Sequence, residues 1–113
     1  MTTTATRTAS TTESSWLSAS CVQKTQETND TFTYEFKTDN AHMSSFLAGS
    51  HINVRIPAGK KGTTINRTYT LSSSPKDLPA FKITVKQVEK GSASNWLATH
   101  LKPGMKLEFT QPS

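Results

Sequence analysis

Arg67-Thr68-Tyr69-Thr70-Leu71-Ser72-Ser73-Ser74-Pro75 is the stretch on which the reading of this chain turns. Thr68 to Leu71 are β-branched, aromatic or aliphatic, and the Ser-Ser-Pro that follows closes the run as a turn, so the segment reads as a strand. In a strand, side chains at i and i+2 share a face. Arg67 and Tyr69 therefore project together, a guanidinium fork beside an aromatic plane. That pair suits a ligand joining an anionic phosphate to a flat ring. The same pattern also describes a surface strand carrying one arginine and one half-buried tyrosine, and the strand by itself does not separate the two readings.

Outward from this stretch, the chain alternates repeatedly. Trp16 to Thr25 reads as a first strand with Leu17, Ala19 and Cys21 on one face. After the polar turn Glu27 to Asp30, the residues Phe32, Tyr34 and Phe36 alternate with Thr33 and Glu35. Thr38 to Ser45 reads as a loop. Ile52, Val54 and Ile56 alternate in His51 to Ile56, and Pro57 stops that strand. Gly59 to Gly62 makes an exposed loop, Lys76 to Pro79 another turn, and Phe81, Ile83 and Val85 alternate again. Past Gly91 the period changes. Ser94 is a good N-cap, Leu97 and Leu101 lie on one helical face, and Lys102-Pro103-Gly104 ends the helix. Trp96 reads as the core anchor of that helix. Met105 to Thr110 is a last short strand. Six strands and one short helix predict an all-β fold, a six-stranded antiparallel Greek-key barrel with the helix between the last two strands.

The totals bound the function. The 113 residues make one small domain, with 13 basic and 8 acidic residues and a net charge of +5. Such a balance suits nucleic acid, a membrane surface or an acidic partner. The basic residues are scattered, however, with Lys60-Lys61 their only adjacent pair, as on a solvated surface. The single cysteine, Cys21, excludes an internal disulfide, a cysteine-rich zinc site or an iron–sulfur cluster built from this segment alone. His42, His51 and His100 show no metal-ligand spacing, and no metal site is expected. No apolar run approaches transmembrane length, and the N-terminus lacks the apolar core of a secretory signal. Residues 1–15, rich in Ser and Thr, are expected to be a disordered lead-in to a cytoplasmic protein, with the domain spanning 16–113.

Taken with the segments that follow it, the opening stretch resembles the flavin-binding barrel of the ferredoxin–NADP reductase superfamily. The resemblance is carried by Arg67 to Pro75, by Ile83-Thr84-Val85-Lys86, and by Gly91-Ser92-Ala93-Ser94-Asn95-Trp96-Leu97. It implies a flavin, FAD in preference to FMN, held by Arg67, Thr68, Tyr69, Thr70, Val85, Lys86, Gly91, Ser92, Ala93 and Ser94. In that scheme Arg67 holds phosphate, Tyr69 packs on the isoalloxazine, and Thr70 reaches the reactive N5 edge by hydroxyl or backbone. Gly91 allows close backbone approach, and the helix opened by Ser92 and Ser94 favours an anion. Lys86 adds charge, or is simply a solvated strand residue. No catalytic side chain is implied, since the cofactor carries the redox chemistry.

The resemblance further implies an NAD(P)H-dependent oxidoreductase passing electrons onward, as in reductases of Rieske-type oxygenases or of the hybrid-cluster protein. A nicotinamide-binding domain is expected downstream of Ser113, so the chain is expected to be the flavin half of a larger reductase. An electron-acceptor domain or protein, with a [2Fe-2S] cluster among the possibilities, would be its partner. The competing class is a basic OB-like barrel that stacks single-stranded nucleic acid on Tyr69, Phe81 or Trp96. Neither the Arg-x-Tyr-Thr strand nor the Gly-x-x-Ser turn is required by it.

Overall fold

Period-two alternation dominates the chain, and in the computed structural model it becomes six strands around one core. The structure describes residues 16–38, 46–47 and 49–112. The lead-in expected over 1–15 lies outside these residues, as does most of the loop expected before Ser45. The strands are β1 (Leu17–Gln26), β2 (Thr31–Thr38), β3 (His51–Ile56), β4 (Ile65–Thr70), β5 (Ala80–Lys86) and β6 (Lys106–Phe109), and the helix α1 (Ser92–His100) stands between β5 and β6. Single 3-10 turns occupy Lys60–Gly62 and Pro75–Asp77. All pairings are antiparallel, in the order β4-β3-β6-β1-β2-β5. Consecutive strands β2 and β3 are not neighbours, and neither are β4 and β5 in the ladder, which is the Greek-key connectivity expected from the sequence.

The inward residues of each strand fill the barrel. Tyr34, Phe36, Ile52, Val54, Ile56, Phe81, Ile83 and Phe109 are all essentially inaccessible to solvent. At the centre Phe109 meets Phe36 and Phe81 edge-on, with ring centroids 4.7 Å and 5.0 Å apart. Such edge-to-face pairs add to the stabilisation from apolar burial. One residue breaks the β1–β2 register. Cys21 pairs with Phe36 and Gln23 with Glu35, so Val22 is bulged outward and 45% exposed.

The helix closes one end of the barrel. Ala93, Leu97 and Leu101 are buried, and Trp96 packs partly against the same core. The expected N-cap is corrected here. The helix begins at Ser92 with Gly91 as its N-cap, so Ser94 is the third helical residue and is buried. Its hydroxyl is turned back to the preceding loop instead of capping its own first turn. At the other end, Lys24 of β1 donates from Nζ to the carbonyls of Ala98 (2.6 Å) and Leu101 (3.1 Å), a cation at the negative end of the helix.

The barrel is nearly, not fully, closed. The two outer strands of the ladder, β4 and β5, meet through a bridge between Leu71 and Ile83, supported by the Ser72 N–H donating to the Lys82 carbonyl at 2.9 Å. Continuing that register would set Tyr69 opposite Val85, yet no such pairing forms. The strands splay apart from that point, and the gap is where the candidate site lies.

Candidate functional site: the cleft between β4, β5 and α1

Strand alternation sorts the residues of β4. Ile65, Arg67 and Tyr69 share one face, and Asn66, Thr68 and Thr70 the other. Arg67 and Tyr69 look into the gap beside β5, forming a cleft of about 290 Å3. Val85 and Lys86 contribute from the end of β5. Val88 and Gly91 come from the following turn, and Ser92, Ala93 and Ser94 from the first turn of α1. Eight of the ten residues named from the sequence thus line one cleft, brought together from three separate segments. Thr68 and Thr70 do not line it: Thr68 Oγ1 bonds to Asn53 Oδ1 on β3, and Thr70 is exposed opposite His51. Val88 was not anticipated. It is a lone apolar residue in a polar turn, and that isolation was the available signal.

The turn from Gln87 to Gly91 is held by its own side chains. The Val88 N–H donates to Ser94 Oγ at 3.1 Å, and the Ser94 hydroxyl lies 3.4 Å from the Gly91 carbonyl. Asn95 Nδ2 donates to the Val88 carbonyl at 3.2 Å and Gln87 Nε2 to Asn95 Oδ1 at 2.7 Å. Gly91 is required here for space. A methyl group at its Cα would overlap Val88 Cγ2 and lie 2.8 Å from Ser94 Oγ. In this geometry the room that glycine leaves is taken up by the chain's own turn.

Three positive features line the cleft: Arg67, Lys86 and the first turn of α1. The Arg67 guanidinium is exposed and its recorded bond is Nη1 to the carbonyl of Asn66 at 2.9 Å. Among the described residues the ion pair is Arg55–Glu108, leaving the Arg67 charge without a carboxylate partner. The first-turn N–H groups of α1 have no intrahelical acceptors, and Gly91 supplies no side-chain cap. A helix N-terminus in this condition attracts negative charge. The half-buried Tyr69 ring lines the same cleft. Burial pushes its phenol above the usual range, with the Arg67 guanidinium pulling the other way. Tyr69 therefore offers a neutral aromatic face. The arrangement fits a molecule with a phosphate or diphosphate at one end and a flat ring system at the other, and FAD has both.

A further cleft of about 270 Å3 lies between Glu35, Ser73, Asp77, Phe81 and Lys82. Its two carboxylates make it a poor seat for a diphosphate. Among the described residues no cluster of His, Cys, Asp or Glu is arranged to hold a metal ion, and no helix is long and apolar enough to cross a membrane.

A Greek-key barrel with an arginine, an aromatic ring and a helix N-terminus converging at its open seam defines the flavin-binding barrel class. Comparison with known proteins agrees. Residues 18–113 match the family described as the oxidoreductase FAD-binding domain, and the chain belongs to that family. It is 37% identical over 92 residues to the glycine betaine monooxygenase reductase subunit of Pseudomonas aeruginosa, covering 81% of this chain and 25% of that protein. Among solved structures it resembles the flavohemoglobin of Malassezia yamatoensis with bound FAD and heme (TM-score 0.77, 23% identity, 86% of this chain and 24% of that one). It also resembles phthalate dioxygenase reductase, described as a modular structure for electron transfer from pyridine nucleotides to [2Fe-2S] (TM-score 0.75, 23% identity, 90% and 31%). The chain spans about a quarter of the length of the curated relatives it matches. The nucleic-acid barrel considered from the sequence receives no support from these likenesses.

Proposed function

We propose that the cleft between β4, β5 and α1 holds FAD, and that the 16–113 domain is the flavin-carrying part of an NAD(P)H-dependent oxidoreductase of the cytoplasm. The carrying observation is the convergence of Arg67, Tyr69, Lys86 and the first turn of α1 on one cleft at the barrel's open seam. Arg67 and the N–H groups of Ser92, Ala93 and Ser94 hold the phosphates, with Lys86 adding charge. Tyr69 packs on the ring system, and Val85 lines the apolar wall opposite. Thr68 and Thr70 contribute through the β4 backbone, whose edge away from β3 is left unpaired by β5 at this level.

When bound, FAD supplies the chemistry of accepting a hydride and releasing electrons singly. The work of this chain is to bind it, orient it and keep one ring face from water. A nicotinamide-binding domain and an electron acceptor, an iron–sulfur centre or another carrier, complete the reaction. The relatives' names, which include reductase subunits and ferredoxin reductase components of monooxygenases, support this reading. The test is reconstitution of the purified chain with FAD. A bound flavin absorbance spectrum at one equivalent is expected. Failure to retain or titrate with any flavin would overturn the proposal, and salt-sensitive binding of an oligonucleotide in its place would restore the nucleic-acid reading.

A further inference from the structure

A third cavity, of about 280 Å3, lies on the outer side of α1, lined by Ala58 after β3 and by Ser92, Asn95, Trp96, Thr99 and His100 of the helix. Ser92 lines this cavity and the flavin cleft alike, so the two meet at the N-terminus of the helix. Ser92, Trp96 and His100 are spaced four residues apart and form one ridge along α1. The indole and imidazole rings of that ridge stand 5.6 Å apart between centroids, tilted by 42°. Trp96 is only partly buried and His100 is exposed, so both rings present surface to the cavity.

On the reading of the first cleft as a flavin site, which this inference rests on, a diphosphate at the first turn of α1 sits at the junction of the two cavities. The flavin leaves it on the β4–β5 side. For the group attached to the other phosphate the second cavity lies open from the same helix terminus, and there the chain presents aromatic rings. We infer that the Ala58–Trp96–His100 cavity is the adenine subsite, in which the adenine of FAD stacks on the indole of Trp96 with His100 at its edge. The chain would then owe its choice of FAD over FMN to α1's outer face. Asn95 also lines the cavity, but its amide is committed to Gln87 and to the Val88 carbonyl.

The test is titration of the full chain with FAD, FMN and riboflavin, followed by flavin fluorescence and absorbance. FAD should bind at least about tenfold more tightly than FMN, the scale expected of one base stacked on one aromatic ring. Trp96→Leu should remove most of that advantage while leaving FMN affinity unchanged. His100→Ala should act in the same direction by a smaller factor, and Ala58→Phe, which fills the cavity, should weaken FAD alone. Retained FMN binding certifies that each variant is folded. FAD and FMN bound equally by the wild type, or variants that weaken both flavins alike or neither, would overturn the adenine subsite and leave the flavin cleft standing. Absence of binding by every flavin would overturn the flavin reading itself.

Discussion

Ser94 Oγ accepts a hydrogen bond from the backbone N–H of Val88 at 3.1 Å, tying the first turn of α1 to the turn that precedes it. The hydroxyl is buried and therefore holds the geometry of a loop that lines the cleft, in addition to facing the cleft itself. Ser94→Ala should leave the Val88 donor unsatisfied and destabilise the domain by about 1–3 kcal/mol. If Ser94 also contributes to holding phosphate, the loss measured by chemical denaturation should be larger with saturating FAD than without it. Equal losses in the two conditions would make Ser94 a purely structural residue.

Arg67 differs in being exposed and in lacking a carboxylate partner among the described residues. Arg67→Ala should change the stability of the empty barrel by no more than about 0.5 kcal/mol, as surface substitutions usually do. A charge-assisted contact to phosphate contributes about 1.5–3 kcal/mol, so FAD affinity should fall by roughly tenfold to a hundredfold. Arg67→Lys should recover part of it, since the charge returns without the planar fork. Flavin titration of the three proteins is the measurement, and unchanged affinity in the alanine variant would remove Arg67 from the site.

The strands were legible because burial on one face writes itself into the sequence at period two. Tyr34 and Phe36, then Ile52, Val54 and Ile56, then Phe81, Ile83 and Val85 needed no tertiary information. The same period separates Thr68 and Thr70 from Arg67 and Tyr69, since residues one and three places apart point to opposite faces. The resemblance had placed them all in one site. The start of the helix was not legible. A serine before an apolar helical pattern reads as an N-cap, and local propensity cannot tell that from a serine inside the first turn bonding back to a loop. Nor does anything local announce that Lys24 reaches the carbonyls of Ala98 and Leu101, 74 and 77 residues away. The gap between β4 and β5 is likewise a property of the closed-up barrel, since Tyr69 and Val85 each lie in well-formed strands.

Alkaline pH should weaken the fold. Burial raises Cys21 above its ordinary 9.0, and raises Tyr34 and Tyr69 above 10.0. In each case the folded chain keeps its proton where the unfolded chain has lost it. The unfolded state then binds fewer protons, so stability is at its full value below about pH 9 and falls as pH rises through 9 and 10. Lys24 acts the other way, because burial lowers it from 10.5 and the unfolded chain then binds more protons just below that value. One such group opposes three, and the net slope should be downward. Denaturation midpoints between pH 8 and 11 measure it, and Cys21→Ala should remove the earliest part of the decline. A flat or rising profile through pH 10 would contradict the assignment of these groups as buried.

Hydride transfer requires the nicotinamide ring to be held against the flavin in a near-attack geometry, and loss of that positioning can forfeit several kcal/mol of barrier lowering. Among the described residues α1 is the one helix longer than a single turn, and it starts from Gly91 with no Gly-rich strand–turn–helix of the dinucleotide-binding kind before it. The cleft is about 290 Å3, and its charged end is already committed to one diphosphate on the reading given above. The chain of residues 1–113, loaded with FAD, should therefore reduce an artificial electron acceptor from NADH or NADPH little faster than free FAD does. Chemical reduction by dithionite should still convert the bound flavin fully, showing that the cofactor is competent and that the missing element is the nicotinamide site. Addition of a nicotinamide-binding domain, covalently or in trans, should then raise NAD(P)H-dependent turnover and make it saturable. Rapid saturable turnover by residues 1–113 alone would mean that the barrel itself seats the nicotinamide, and Tyr69 and Val85 at the open seam would be the first residues to test for it.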